Sequence, residues 1–174
     1  MTLAGLPELR WLDGPGEGTA SVADGVLTME APPRSDWFND PAGPSRHASA
    51  PALVVAADRD LQLSALVSVD FEHSFDAGVL FVHQGDDDHA KLCFERSPNG
   101  DPMVVTVVTR EVSDDSNEPV IDGDTVHLRV SRIGEVFAFP FSTDGERWRL
   151  SRLFRLRDPA APPTLGFLAP CPTG

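Results

Sequence analysis

Apolar and polar residues alternate along much of this chain with a period of two, which is the pattern of half-buried β-strands. The clearest example runs over residues 61–71, where apolar positions alternate with mainly polar ones. No window shows the 3.6-residue apolar stripe of an amphipathic helix, and the scattered Gly and Pro residues would interrupt helices repeatedly. The pattern therefore predicts an all-β fold of a single domain, with about a dozen strands joined by short connections.

Residues 75–95 predict a central β-hairpin, in which two apolar runs flank the polar break 84–88. If His83 opposes His89, one face of the hairpin carries only apolar pairs and must be covered by other parts of the protein. The other face carries Lys91 and Glu95, four residues apart on one strand. Charges in the middle of a strand are uncommon, so we expect this mixed face to carry the function.

The next strand, 103–110, follows an Asn-Gly pair suited to a two-residue turn. Centring the turn on that pair places Thr106 beside Cys93 on the mixed face, whereas a bulge would shift the register by one residue and bring Thr109 there instead. Residues 113–119 are polar and acidic, and the pattern predicts a loop.

A net charge of −13 argues against non-specific binding to nucleic acid or to anionic lipid, because both require a basic protein surface. No stretch resembles a signal peptide or a membrane span, so we expect a cytoplasmic protein that is not bound to a membrane. Two cysteines without an export signal do not predict a structural disulfide. The single lysine among fourteen basic residues is Lys91. A neutral or cationic partner is favoured.

Three tryptophans and one acidic run complete the candidate chemistry. Trp37 follows Asp36 in a Pro-rich segment, where it either stacks on a sugar ring or anchors the segment to the core. Trp11 and Trp148 are expected in the core. The run 86–88 has carboxylates but no calcium-loop spacing, which favours a solvated turn over a metal site. No nucleotide-binding glycine motif occurs, and we expect no cofactor.

A retaining glycosidase needs two carboxyl groups about 5 to 5.5 Å apart, and Cys93 stands where a second acid two residues from Glu95 would lie. The sequence therefore favours a binding module over an enzyme. A glycoside-active enzyme that uses Glu95 and a regulatory domain that binds another protein remain the alternatives.

Several ordered motifs resemble a largely uncharacterised family that includes the yeast regulator-of-enolase protein. They lie at 11–13, 36–37, 75–80, 91–95, 107–109, 113–114 and 144–148. The resemblance implies the concanavalin A-like lectin/glucanase fold, a jelly-roll sandwich of two antiparallel sheets. It also implies a concave sheet that binds a carbohydrate or another small polar ligand, lined by Trp37, Lys91, Glu95, Thr109 and Asp114. With Asp36 and Thr106 from the residue pattern, these are the predicted ligand-binding residues.

Overall fold

A computed structural model describes residues 1–157 and 162–174 of the chain. Within these ranges the chain forms fifteen β-strands and no α-helix, and every strand pairing is antiparallel. The predicted all-β sandwich is therefore confirmed. In the same ranges, no helical segment has the length and apolar character required to cross a bilayer.

The larger sheet has seven strands in the order β1-β6-β15-β8-β9-β10-β11. In sheet order the strands are β1 (Arg10–Trp11), β6 (Ala52–Ala56), β15 (Thr164–Leu168), β8 (Ala77–Gly85), β9 (Asp88–Arg96), β10 (Pro102–Arg110) and β11 (Val112–Val120). Gly166 in β15 is required by close backbone approach, because a Cβ there would overlap the Leu53 carbonyl group of β6.

The smaller sheet has four strands in the order β14-β13-β12-β7. They are β14 (Arg149–Phe154), β13 (Val136–Ser142), β12 (Thr125–Ile133) and β7 (Leu61–Ser68). Two short ribbons complete the fold: β2 (Thr19–Ala23) pairs with β3 (Val26–Glu30), and β4 (Trp37–Asn39) pairs with β5 (Arg46–Ala48). The ribbon β4-β5 matters for function because it lies over the mixed face of the larger sheet.

The central hairpin has the predicted register, since β8 and β9 pair Phe81 with Lys91 and His83 with His89. Its tip differs from the expected five-residue solvated turn, because Gly85 pairs with Asp88 and only two residues turn. Asp88 is buried and both of its carboxylate oxygens accept the Arg157 backbone N–H. The tip therefore extends the sheet, and of the acidic run Asp86 and Asp87 are exposed whereas Asp88 is buried.

Two predictions on the next strands are wrong. The loop between β9 and β10 is Ser97–Asp101. The register of the two strands therefore differs by one residue from that of a turn centred on Asn99-Gly100, and Val105 rather than Thr106 opposes Cys93. Residues 112–120 form an edge strand rather than a loop. This edge strand is exposed at most of its positions on both faces, so it can consist of polar residues, because it needs few apolar contacts.

The two faces of the larger sheet belong to different clusters of buried side chains. Leu80, Leu92 and Phe94 face the smaller sheet and belong to the principal core, together with Phe139 and Phe141 of β13. The opposite face belongs to an outer cluster that is covered by the chain segment around Trp37. Its other members include Leu12, Ala50, Val79, Phe81, Cys93, Val105 and Val107.

The other tryptophans and the cysteines complete the comparison with the sequence. Trp148 is half-buried on the outer face of the smaller sheet, where the Arg129 guanidinium lies 3.4 Å from its ring centroid, so its predicted core position is wrong. Trp11 is partly buried beside a small cluster formed by Leu9, Leu53 and Val55. Cys93 and Cys171 are free thiols.

Candidate functional site

Trp37 anchors the covering segment to the larger sheet. Its side chain is 1% exposed, its Nε1 donates a hydrogen bond to the Ala50 carbonyl oxygen at 2.8 Å, and its ring packs against Phe81 and His89 with centroids 5.2 Å away. A ring enclosed in this way has no free surface on which a ligand could stack. Of the two interpretations that the sequence left open, the anchor describes the structure.

Lys91 and Asp36 form a charged pair beneath this segment. Lys91 Nζ lies 2.7 Å from Asp36 Oδ1, which also accepts the backbone N–H of Trp37 at 2.7 Å. The Lys91 side chain is 4% exposed, and burial favours its neutral form, but the Asp36 carboxylate, together with Cys93 and Glu95, raises the pKa of Lys91 above its ordinary value. Lys91 is therefore a buried, paired ammonium group.

Glu95 lies on the same face and is the least satisfied charged group there. It opposes Ala77 and Met103 on the neighbouring strands and is partly exposed. Burial, with further contributions from Asp36 and Asp115, outweighs the opposing effect of Lys91 and raises the pKa of Glu95 to about 7. No described residue donates a hydrogen bond to its carboxyl group. Glu95 can therefore accept or donate a hydrogen bond near neutral pH.

Two neighbours of this site were missed by the sequence reasoning. Asp115 opposes Val107 on β10, which in turn opposes Lys91, so Asp115 belongs to the Lys91 face. Phe38 is partly buried, and its ring centroid lies 5.9 Å from Lys91 Nζ. The strand alternation of 112–120 would have identified Asp115 if that segment had been interpreted as a strand. We call Asp36, Phe38, Lys91, Glu95 and Asp115 together the Glu95 patch.

Besides Trp37, three of the predicted ligand-binding residues do not join the patch. Asp114 opposes Val108 on the core side of β10 and forms an ion pair with Arg152 at 2.8 Å, so its predicted position is wrong. Thr106 opposes Leu92 and is fully buried on the core side, because the register is shifted by one residue. Thr109 does lie on the Lys91 face, but it is fully buried and hydrogen-bonded to Ser113 at 2.8 Å.

The cavity at the hairpin tip is a competing location for a ligand. It has a volume of about 170 Å³ and is lined in part by Gln84, Arg132, Arg155 and Arg157. Arg155 pairs with Glu135, and Arg157 pairs with Glu111 at 2.6 Å. These two arginines therefore already form ion pairs with carboxylates, whereas no described residue forms an ion pair with Glu95.

The patch favours some kinds of chemistry over others. The patch has three acidic groups and one ammonium, so an anionic ligand would be repelled, and a metal cation would have to approach Lys91. A neutral ligand rich in hydroxyl groups is not repelled by either kind of charge. Each of its hydroxyl groups can donate a hydrogen bond to a carboxylate or accept one from a protonated carboxyl group.

Comparisons with solved structures support the fold. A functionally unknown protein from Saccharomyces cerevisiae is 24% identical, with a TM-score of 0.82 over 95% of this chain and 88% of that one. A variant of the GH43 protein BlXynB from Bacillus licheniformis is 12% identical, with a TM-score of 0.66 over 95% of this chain and 37% of that one. Xylan β-1,4-xylosidase from Bacillus halodurans is 16% identical, with a TM-score of 0.58 over all of this chain and 38% of that one.

These likenesses establish a β-sandwich fold that also occurs in proteins of the glycoside hydrolase class, and the chain spans well under half of the two bacterial proteins. No curated protein matches the chain. Residues 11–174 match the family DUF1349, which is described as a protein of unknown function. The match covers nearly the whole sequence, and the chain is therefore a member of the DUF1349 family.

Proposed function

We propose that this protein is a binding module that recognises a neutral carbohydrate, or a similarly hydroxyl-rich small ligand, at the Glu95 patch. The observation that carries the proposal is Glu95 itself. Its carboxyl group is largely enclosed, reaches the surface, and receives no hydrogen bond from any described residue. A polar group in this position costs free energy unless a ligand or water satisfies it.

The neighbours of Glu95 suit the two kinds of surface that a sugar presents. Glu95 and Asp115 supply acceptors for hydroxyl groups, whereas the Lys91 ammonium is buried and paired with Asp36. Phe38 is partly exposed and offers an aromatic surface for the apolar face of a sugar ring. Phe38 thus takes the part that the sequence suggested for Trp37.

The fold adds limited support. Chains of the same fold include one titled xylan β-1,4-xylosidase, which makes xylo-oligosaccharides a reasonable first group to test. The identities are low, so this choice rests on shared architecture and not on shared site residues.

Isothermal titration with a panel of neutral oligosaccharides, including xylo-oligosaccharides, tests the proposal. We expect Glu95→Gln to weaken binding about tenfold or more, because a hydrogen bond to a charged group contributes about 1.5 to 3 kcal/mol. Glu146→Gln is the matched control, since Glu146 is exposed in the turn between β13 and β14 of the smaller sheet. Equal affinities of the two variants, or a panel without any binding, would overturn the proposal.

The same panel tests the alternative of a glycoside-active enzyme. A pKa of about 7 would allow Glu95 to act as a general acid, and Asp36 and Asp115 are close enough to influence it. Hydrolysis of a panel member that is lost in Glu95→Gln and retained in Glu146→Gln would identify an enzyme. Binding of an oligosaccharide without hydrolysis would instead support the binding module.

A second candidate is a cytoplasmic regulatory domain that binds another protein. The observation in its favour is the outer face of the smaller sheet, where Leu66, Leu150 and Leu153 are each at least 60% exposed. The resemblance to the family of the yeast regulator-of-enolase protein makes enolase the first partner to test. Binding of purified enolase that is lost in Leu150→Ser/Leu153→Ser and unchanged in Glu95→Gln would support this candidate.

A further inference from the structure

A histidine, an aspartate and a cysteine meet outside the Glu95 patch, where the turn before β8 contacts the segment after β15. His73 and Asp76 belong to the turn, and Cys171 comes from the distant segment. Their potential ligand atoms, an imidazole nitrogen, a carboxylate oxygen and the sulfur, all lie within 4.8 Å of one another. The sequence gives no hint of this cluster, because 95 residues separate Asp76 from Cys171.

Backbone hydrogen bonds fix the Asp76 carboxylate and the backbone position of Cys171. Asp76 Oδ2 accepts the backbone N–H groups of Glu72 at 3.0 Å and His73 at 2.7 Å. Cys171 forms an isolated antiparallel bridge with Ser35, with N–O distances of 3.1 and 3.2 Å. The carboxylate and the thiol therefore face each other without depending on mobile side-chain contacts.

The second oxygen of Asp76 is unsatisfied. Asp76 is 8% exposed, and its buried Oδ1 has no hydrogen-bond partner among the described residues. A buried carboxyl oxygen without a partner is costly, and a bound cation would remove that cost.

The backbone of Gly174 closes one side of the cluster. A Cβ at this position would overlap Cys171 Sγ and would lie 3.1 Å from His73 Nδ1, so no larger residue fits without a shift of the chain. The His73 side chain is 48% exposed, which leaves the opposite side open to water. The cluster thus resembles a three-ligand site with one accessible position.

We propose that His73, Asp76 and Cys171 form a binding site for a zinc-like divalent metal ion. Zinc accepts imidazole nitrogen, carboxylate oxygen and thiolate sulfur in one tetrahedral shell, in which donor atoms lie roughly 3.5 Å apart. The ligand atoms lie up to 4.8 Å apart, and a rotation of the exposed His73 side chain can bring its imidazole nitrogen closer to the other two. Calcium and magnesium fit poorly, because they prefer an all-oxygen shell and this site has one carboxylate and a soft sulfur.

Binding involves one balanced exchange of bonds. The Cys171 thiol releases its proton to water as the S–metal bond forms, the neutral imidazole and the carboxylate bind through lone pairs, and water fills the fourth position. No oxidant or reductant is required.

Titration of the untagged protein with Co²⁺, in a thiol-free reducing buffer, tests the site. We expect saturable binding of one ion, with a thiolate-to-cobalt charge-transfer band in the near ultraviolet and tetrahedral visible bands that Zn²⁺ then displaces. Cys171→Ser should abolish the charge-transfer band while the buried Cys93 remains present. A band that survives in Cys171→Ser, or an absence of saturable binding in the wild type, would overturn the proposal.

A histidine pair supplies the matched control. His73→Asn should weaken Zn²⁺ binding by more than the roughly 10- to 100-fold that loss of an outer-shell contact costs. His47→Asn removes an exposed imidazole outside the cluster and should leave the affinity unchanged. Melting curves without metal show whether each variant is folded. Equal affinities of the two folded histidine variants would contradict the assigned ligand set.

Discussion

The two faces of the larger sheet are covered in different ways. One face packs against the smaller sheet, and its hairpin residues are wholly apolar, as with Leu80, Leu92 and Phe94. The other face is covered by the segment around Trp37 and retains Lys91 and His89 beneath it. Sheet-on-sheet packing excludes water and brings no polar partners, whereas an irregular segment carries free backbone and side-chain groups that can pair with a charge.

The largest expected effect distinguishes the two faces by packing alone. Phe94→Ala removes a fully buried ring from the principal core and should lower the free energy of unfolding by about 3 to 5 kcal/mol. Phe38→Ala, on the covered face, removes a partly exposed ring and should cost less than half of that. Urea denaturation of both variants gives the two values. Similar losses would show that the covering segment belongs to the main cooperative core.

His89 makes the covered face sensitive to acid. Burial, followed by the charges of Lys91 and His83, lowers the pKa of His89 to about 4, while the unfolded chain retains about 6.5. As the pH falls through this window the unfolded state takes up a proton first, so His89 should reduce stability by about 2 to 3 kcal/mol between pH 6.5 and pH 4.

His89→Leu should remove that acid sensitivity. The test is to measure the free energy of unfolding of the variant and of the wild type at several pH values. As the pH falls from 7 to 4, the variant should become more stable relative to the wild type. A constant difference across this range would show that His89 titrates normally.

Lys91 tests whether the covered charges are matched. Lys91→Met leaves the Asp36 carboxylate, which is 14% exposed, without its ammonium partner, and should destabilise the protein by about 2 kcal/mol. Adding Asp36→Asn to Lys91→Met should recover part of the loss, because no uncompensated charge then remains. A double-mutant cycle by chemical denaturation measures the coupling, and an additive result would contradict a functional ion pair.

Glu95 should have a smaller effect with the opposite dependence on pH. Its pKa of about 7 exceeds the ordinary value of 4.5, so the folded state holds the proton more tightly and stability should fall as the pH rises from 4.5 to 7. Partial exposure limits the loss to about 1 to 2 kcal/mol. Glu95→Gln should therefore exceed the wild type in stability at pH 8 and approach it at pH 4.5.

Because His89 and Glu95 act in opposite directions, their contributions partly cancel between pH 4.5 and pH 6.5 in the wild type. Thermal melts of the two single variants should show slopes of opposite sign in this window. Parallel slopes would mean that one of the two pKa shifts has been assigned the wrong direction.

The central hairpin shows why part of the structure was predictable. Its apolar alternation and polar turn determine the pairing of Phe81 with Lys91, since a slip of one residue would bring Lys91 into the principal core. The next turn was less constrained, because most residues from 103 to 108 are apolar on both faces and either register would bury them. The register with Thr109 on the Lys91 face is the one that the structure adopts, and Thr106 lies on the core face.

The sequence by itself determined the all-β class, the hairpin register and the shared face of Lys91 and Glu95, because these depend on a two-residue period within adjacent segments. Only the tertiary structure decided what covers that face, which carboxylate meets Lys91, and that His73 and Asp76 meet Cys171. Such contacts join segments that are 55 and 95 residues apart, and local periodicity contains no information about which distant segments pack together. The chemistry of both proposed sites arises from those contacts.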